Sequence, residues 1–143
     1  GDNIMGYTNY WYQHEDFTND EWHKIQVFFH GLKMVYGGGA YLKADHIIND
    51  ETSSDSHIQF NGTKGQDYET FTLNKVANTN SDYDGHNVAF NFCKTNRNPY
   101  DAMVWALLSY ARYVKGNRDM FVCRNDDGDH YGSNNCGECG HDK

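Results

Sequence analysis

The densest group of chemically able side chains in this 143-residue sequence is the run Phe92-Cys93-Lys94-Thr95-Asn96-Arg97-Asn98-Pro99-Tyr100-Asp101. It reads as a strand, then a short basic turn, then the start of a helix. The unpaired amides and partial positive charge at such a start suit a phosphate or carboxylate. Lys94 adds a point charge, Arg97 a planar fork able to grip two oxygens, and Thr95 a hydroxyl donor. In the other reading, Asn98 and Asp101 satisfy the helix amides themselves and the bases pair with surface acids.

Around this turn the sequence predicts a ligand set of Tyr10, Trp11, Asn61, Glu69, Lys94, Thr95, Arg97, Tyr100 and Asp101. Tyr10 and Trp11 supply rings to stack on a base, and Asn61 supplies an amide to read a base or ribose edge. Glu69 and Asp101 are also the carboxylates that a hydrolase would use as general base. Cys93, beside the Lys94 ammonium, is either an activated thiol or a buried strand cysteine.

A second cluster lies in the tail, where Cys136 and Cys139 flank Gly137-Glu138 and His141 follows. Thiolates at that spacing can bind one zinc ion, with Cys123 or His130 completing a tetrahedron. The alternative is a reduced or oxidised pair in a polar tail. Asp126, Asp127 and Asp129 do not follow the EF-hand spacing and read as a solvated acidic turn. His23 and His30 sit two helical turns apart, too far to share a metal. The sequence lacks a nucleophile elbow, a phosphate-binding loop ending in Gly-Lys-Ser/Thr, and a His-Glu-x-x-His helix. Apart from that zinc, no cofactor is expected.

These groups need a frame to hold them. Thr18 and Glu21 have capping-box spacing, and Phe17 and Trp22 have that of a hydrophobic staple. Trp22, Ile25, Phe29, Leu32 and Tyr36 then form one apolar stripe, and Gly37-Gly38-Gly39 ends this first helix. The second helix has Asn98 as cap, Pro99 at its first position, Val104, Leu107, Leu108, Ala111 and Val114 as its buried stripe, and Gly116 as its stop. Strands are expected at Tyr7 to Tyr12, His46 to Ile48, Ile58 to Phe60, Glu69 to Leu73, Val88 to Phe92 and Met120 to Cys123. The order β-α-β-β-β-β-α-β predicts a single α+β domain over residues 5–143: one largely antiparallel sheet with two helices on one face. Residues 124–143 form a Gly/Asn/Asp/Cys-rich tail. Gly1 to Ile4 precede the first Met and are left out of the fold argument.

Composition narrows the partners. Twenty acids against twelve bases leave a net charge of −8, which opposes general DNA or RNA binding. Residues 1–93 carry a charge of −8, residues 94–124 carry +4, and the tail returns to −4. All four arginines, Arg97, Arg112, Arg118 and Arg124, lie in the basic stretch. No apolar run approaches a membrane span. Four cysteines and no secretory succession point to a reducing cytoplasm.

Four ordered motifs also resemble a family of small, functionally unassigned bacteriophage proteins. They are Tyr7-Thr8-Asn9-Tyr10-Trp11, Phe60-Asn61-Gly62, Glu69-Thr70-Phe71 and the run from Phe92 to Asp101. Family members carry YTHYW, FNG, ETF and FCKTARKPYD in the same order. The resemblance covers roughly residues 5–122. Asn9 stands where the family has His, Asn98 where it has Lys, and the Cys-rich tail where relatives end in an acidic stretch containing Trp. The resemblance implies a phage origin and an accessory role, with no reaction attached.

Together these readings predict a phage-encoded protein that sequesters a small anionic, nucleotide-derived host defence signal in the cytoplasm of an infected bacterium. A pocket shared between subunits would make it a homo-oligomer. The rivals are a small hydrolase of a phosphodiester or glycosidic bond, and a protein–protein inhibitor whose acidic surface meets a basic host factor.

Overall fold

A computed structural model describes residues 7–36, 47–49, 51–77, 89–116, 120–124 and 130–131. The elements are β1 (Thr8–Gln13), α1 (Asn19–Tyr36), β2 (Ile48–Asn49), β3 (His57–Gly62), β4 (Phe71–Asn74), β5 (Ala89–Lys94), α2 (Asp101–Lys115), β6 (Met120–Arg124) and β7 (His130–Tyr131). The class is α+β, in the expected order with one added strand, β7. His46, Val88 and Gly37-Gly38-Gly39 lie outside the described residues, as does the tail after Tyr131.

Local chemistry starts α1 as the sequence requires. The Thr18 amide donates to Glu21 Oε1 at 2.8 Å, and the Glu21 amide donates to Thr18 Oγ1 at 3.1 Å. Two orphan helix-start donors are thereby satisfied. Phe17 closes on Trp22 with ring centres 5.8 Å apart, fixing the angle at which the chain enters the helix.

The start of α2 departs from expectation. Asn98 does not cap it: its side-chain amide donates to the Asp67 carbonyl at 3.0 Å, and the cap position falls to Tyr100, which makes no side-chain cap bond. The Asp101, Ala102 and Met103 amides instead donate to the carbonyls three residues back, Asn98, Pro99 and Tyr100. A tight turn therefore satisfies the amides that a cap would otherwise serve. The far end behaves as read, with Gly116 at φ 93° donating its amide to the Arg112 carbonyl.

The described strands form two antiparallel sheets rather than one. The first runs in the order β5-β1-β6-β7 and the second β2-β3-β4. Glu69 ties them at one end, its amide donating to the Lys94 carbonyl at 3.1 Å and its Oε1 accepting the Lys94 amide at 2.7 Å, and at the other Gln13 Nε2 donates to the Asn74 carbonyl at 3.4 Å. At Glu69 a side-chain oxygen takes the place of a backbone acceptor.

In β1, side chains alternate between faces. Trp11 points into the core and meets Phe71 at 5.3 Å, while Tyr12 meets Phe90 at 5.0 Å on the opposite face. One apolar cluster links both sheets and both helices, including Trp11, Ile25, Phe60, Phe71, Leu107 and Val122. Each such side chain taken wholly from water contributes roughly 1.5–3 kcal/mol before entropy is counted. Phe29 of α1 stacks on Phe60 of β3 at 5.5 Å, and Phe28 stacks on Tyr110 of α2 at 4.2 Å. At the end of α2, Lys115 Nζ donates to the Asp16 carbonyl at 2.6 Å and to Glu21 Oε1 at 3.1 Å. The end of α2 thus lies beside the start of α1, and the helices run antiparallel. No helix among the described residues is long and apolar enough to cross a membrane.

Candidate anion-binding cleft

The turn between β5 and α2 is built on the chain segment that leads into β1. The Thr95 and Asn96 amides both donate to the Tyr7 carbonyl, at 2.8 and 3.4 Å. The Asn98 amide returns to the Thr95 carbonyl at 3.0 Å, and the two residues between have φ of 56° and 58°. A bond across three residues with two positive φ values matches a type I′ turn. It lifts Arg97 out over Tyr7, with the guanidinium carbon 4.2 Å from the ring centre.

Beneath the turn, Asp101 anchors a buried polar network. Its Oδ1 accepts from Asn9 Nδ2 at 2.7 Å and from Thr95 Oγ1 at 2.6 Å, while its Oδ2 forms a close ion pair with Arg124. Arg124 Nε also donates to Asn9 Oδ1 at 3.2 Å. A carboxylate this enclosed keeps its charge tolerable only through such partners. Arg124 in turn lies over Tyr7 at 5.1 Å and over Trp105 at 4.6 Å.

Above the network opens a cleft of about 540 Å³, walled by Tyr7, Arg97, Asn98, Asp101, Trp105 and Arg124 among others. That volume lies within the range of small-molecule sites. The wall offers two guanidinium groups backed by aromatic rings. A planar cation stacked this way can turn an N–H edge toward an oxyanion. On Arg124, Nε and one terminal nitrogen already donate to Asn9 and Asp101.

Of the predicted ligand set, Arg97 and Asp101 line this cleft, and Thr95 sits below it, fully buried against Asp101. The others are placed elsewhere. Trp11 is a core residue, and Tyr10 stacks on Phe90 at 6.2 Å on the face of β1 opposite Tyr7. Alternation along β1 puts Tyr7, Asn9 and Trp11 on one face, so the ring that reaches the turn is Tyr7. The Lys94 side chain is exposed and is not part of the cleft wall.

Asn61 is engaged within the β3–β4 connection, and Glu69 and Tyr100 at the junction with Lys94. Asn61 Oδ1 accepts the Gly62 and Tyr68 amides at 2.7 and 3.1 Å, and its Nδ2 donates to the Tyr68 carbonyl and Thr70 Oγ1. The fully buried Tyr100 donates its hydroxyl to the Glu69 carbonyl at 2.6 Å. Burial, followed by the negative potential of Cys93, Glu69, Asp101 and Asp67, raises the Tyr100 phenol above its ordinary value. Gly62 packs so closely that a Cβ there would lie 2.2 Å from the Gln66 carbonyl oxygen and 2.8 Å from Tyr100 Cδ1. The four motif segments are therefore neighbours in space, and their polar residues largely satisfy one another.

Cys93 is a buried free thiol whose Sγ donates to the Glu69 carbonyl at 3.5 Å. Burial, then Glu69 and Asp101, pushes that thiol well above its ordinary range, so the strand-cysteine reading stands and an activated nucleophile does not. Cys136, Cys139 and His141 lie outside the described residues, as do Asp126, Asp127 and Asp129. Among the described residues no group of three or more His, Cys, Asp or Glu side chains is placed to hold a metal ion.

Sequence reasoning passed over Tyr7, Asn9, Trp105 and Arg124 as site residues. Trp105 was within reach, because it lies four residues after Asp101 on one helical face. Arg124 was not, since only the β1–β6 register sets it opposite Asn9. No protein-family model, curated protein or solved structure matches this chain.

Proposed function

We propose that the protein binds a small anionic, nucleotide-like ligand in the cleft over Tyr7 and holds it without transforming it. In the biological setting suggested by the phage-like motifs, the ligand would be a host defence signal sequestered by a homo-oligomeric accessory protein in an infected bacterium. The observation that carries this reading is the pair of guanidinium groups, Arg97 and Arg124, within 4.2 and 5.1 Å of a single buried ring at the mouth of a 540 Å³ cleft.

Binding is favoured over hydrolysis by the engagement of both carboxylates. Asp101 accepts from Asn9, Thr95 and Arg124, and Glu69 Oε1 accepts the Lys94 amide. A general base needs an oxygen aimed at the proton it removes.

The test is calorimetry against nucleoside mono-, di- and triphosphates and cyclic mono- and dinucleotides, followed by heat denaturation and chromatography of what is released. Intact ligand is expected. Recovery of a product identifies an enzyme, and failure of every compound to bind refutes the anion site. Capture of a basic host protein without any small-molecule binding assigns the inhibitor role instead.

A further inference from the structure

The wall of the cleft divides into two chemically different parts. The cations lie in one part, with Arg97 and Arg124 over Tyr7. The other part follows the start of α2 and consists of Asn98, Pro99, Ala102 and Trp105. The Ala102 amide donates to the Pro99 carbonyl at 3.2 Å, which keeps these two exposed residues adjacent. Trp105 comes three residues later, next to Ala102 on the helix surface. This part therefore offers small or flat apolar groups leading to a half-buried indole. Arg124 lies against that indole, 4.6 Å from its centre, and is itself fixed by Asp101 and Asn9. The ring is thus held in place before any ligand arrives, which lowers the ordering cost of stacking on it.

Asn98 supplies the polar group of this part. Its Nδ2 donates to the Asp67 carbonyl at 3.0 Å. A carbonyl can only accept, so that bond fixes which way round the amide stands. Oδ1 then has no hydrogen-bond partner among the described residues. Asp101, the carboxylate of the wall, already accepts from Asn9, Thr95 and Arg124. Asn98 Oδ1 is a side-chain acceptor with unused capacity, and only an N–H or O–H of a ligand can complete it.

Resting on the reading of the cleft as an anion site, we infer that its α2 side is a base subsite: Trp105 stacks on the ring of a nucleotide, and Asn98 Oδ1 accepts a hydrogen bond from an exocyclic amine on that ring. The ligand class this selects is an amino-bearing purine nucleotide. A bicyclic base covers more of an indole than a single ring does, and its amine brings the donor that Oδ1 requires. An anion without a base would use neither group.

The experiment is calorimetry on wild type, Asn98→Ala and Trp105→Leu. The probes are adenosine 5′-monophosphate (AMP), purine riboside 5′-monophosphate, which differs only in lacking the amine, and ribose 5-phosphate, which lacks the base. Wild type is expected to bind AMP about fivefold more tightly than the amine-free analogue, the worth of one neutral hydrogen bond. Ribose 5-phosphate should bind most weakly, because it forgoes stacking. In Asn98→Ala the preference for AMP over the analogue should vanish. In Trp105→Leu both base-bearing probes should fall toward the affinity of ribose 5-phosphate. If wild type binds none of the three, the cleft reading fails and this inference fails with it. If wild type binds all three equally, the anion site stands and the base subsite is refuted, an outcome that needs no variant to fold. A preference for AMP that persists in Asn98→Ala refutes the role of Asn98. A loss in Trp105→Leu that is equal for AMP and ribose 5-phosphate makes the indole structural and removes it from the subsite.

Discussion

Asn9 and Asp101 are 92 positions apart in the chain, yet they share a buried hydrogen bond of 2.7 Å. That contact fastens the first strand to the start of the second helix. It also aligns Asp101 for Thr95 and Arg124, so that one carboxylate organises the floor of the cleft.

Asp101→Asn should destabilise the fold by about 2–3 kcal/mol, because it leaves Arg124 enclosed without its counter-charge and removes a charged acceptor. Thr95→Val should cost about 1 kcal/mol by deleting a single hydroxyl donor. Urea unfolding monitored by tryptophan fluorescence measures both. Equal losses for the two variants would show that the ion pair adds nothing beyond ordinary hydrogen bonding.

Gly62→Ala should destabilise by about 2–3 kcal/mol through overpacking. Its new Cβ would meet the Gln66 carbonyl oxygen at 2.2 Å, and that atom belongs to the backbone and cannot simply rotate away. The midpoint of thermal unfolding reports the effect. An unchanged midpoint would mean that the β3–β4 turn is looser than this contact requires.

Stability should decline as pH rises above about 9. The Cys93 thiol has an ordinary value of 9.0 and the Tyr100 phenol one of 10.0, and both are raised in the folded chain. Above those values the unfolded state releases protons that the folded state retains, so alkali favours unfolding. The contribution is fully present below pH 9 and is lost through the alkaline range. Urea midpoints from pH 7 to pH 11 should fall for wild type, with a shallower fall for Cys93→Ala. Identical slopes would remove Cys93 from the alkaline transition.

Elements specified by nearby residues were legible in advance. The Thr18–Glu21 capping box, the Phe17–Trp22 staple and the Gly116 stop all depend on groups within a few positions of one another, and all form. The strand order from β1 to β6 could be read from alternation as well. What alternation cannot express is which strands meet, so the division into two sheets and the central place of β1 were hidden. The same limit governs the cleft. Arg97 stood out by residue type, whereas Tyr7 and Arg124 become site residues only through pairing with β5 and β6. Asn61, Glu69 and Tyr100 looked able to bind a ligand because they are polar or aromatic in conspicuous motifs. Their hydrogen-bonding capacity is directed instead toward each other's segments.

β1 lies between two strands that are made much later, β5 and β6. While the ribosome is still working, this aromatic strand has neither neighbour and must wait with its edges unpaired. The four-stranded sheet can close only after β6 has left the exit tunnel, which makes folding late, dominated by long-range contacts and exposed to aggregation in the interval. A chain arrested after α2 should therefore remain protease-sensitive at Tyr10 to Tyr12, and release of the finished chain should make that segment resistant.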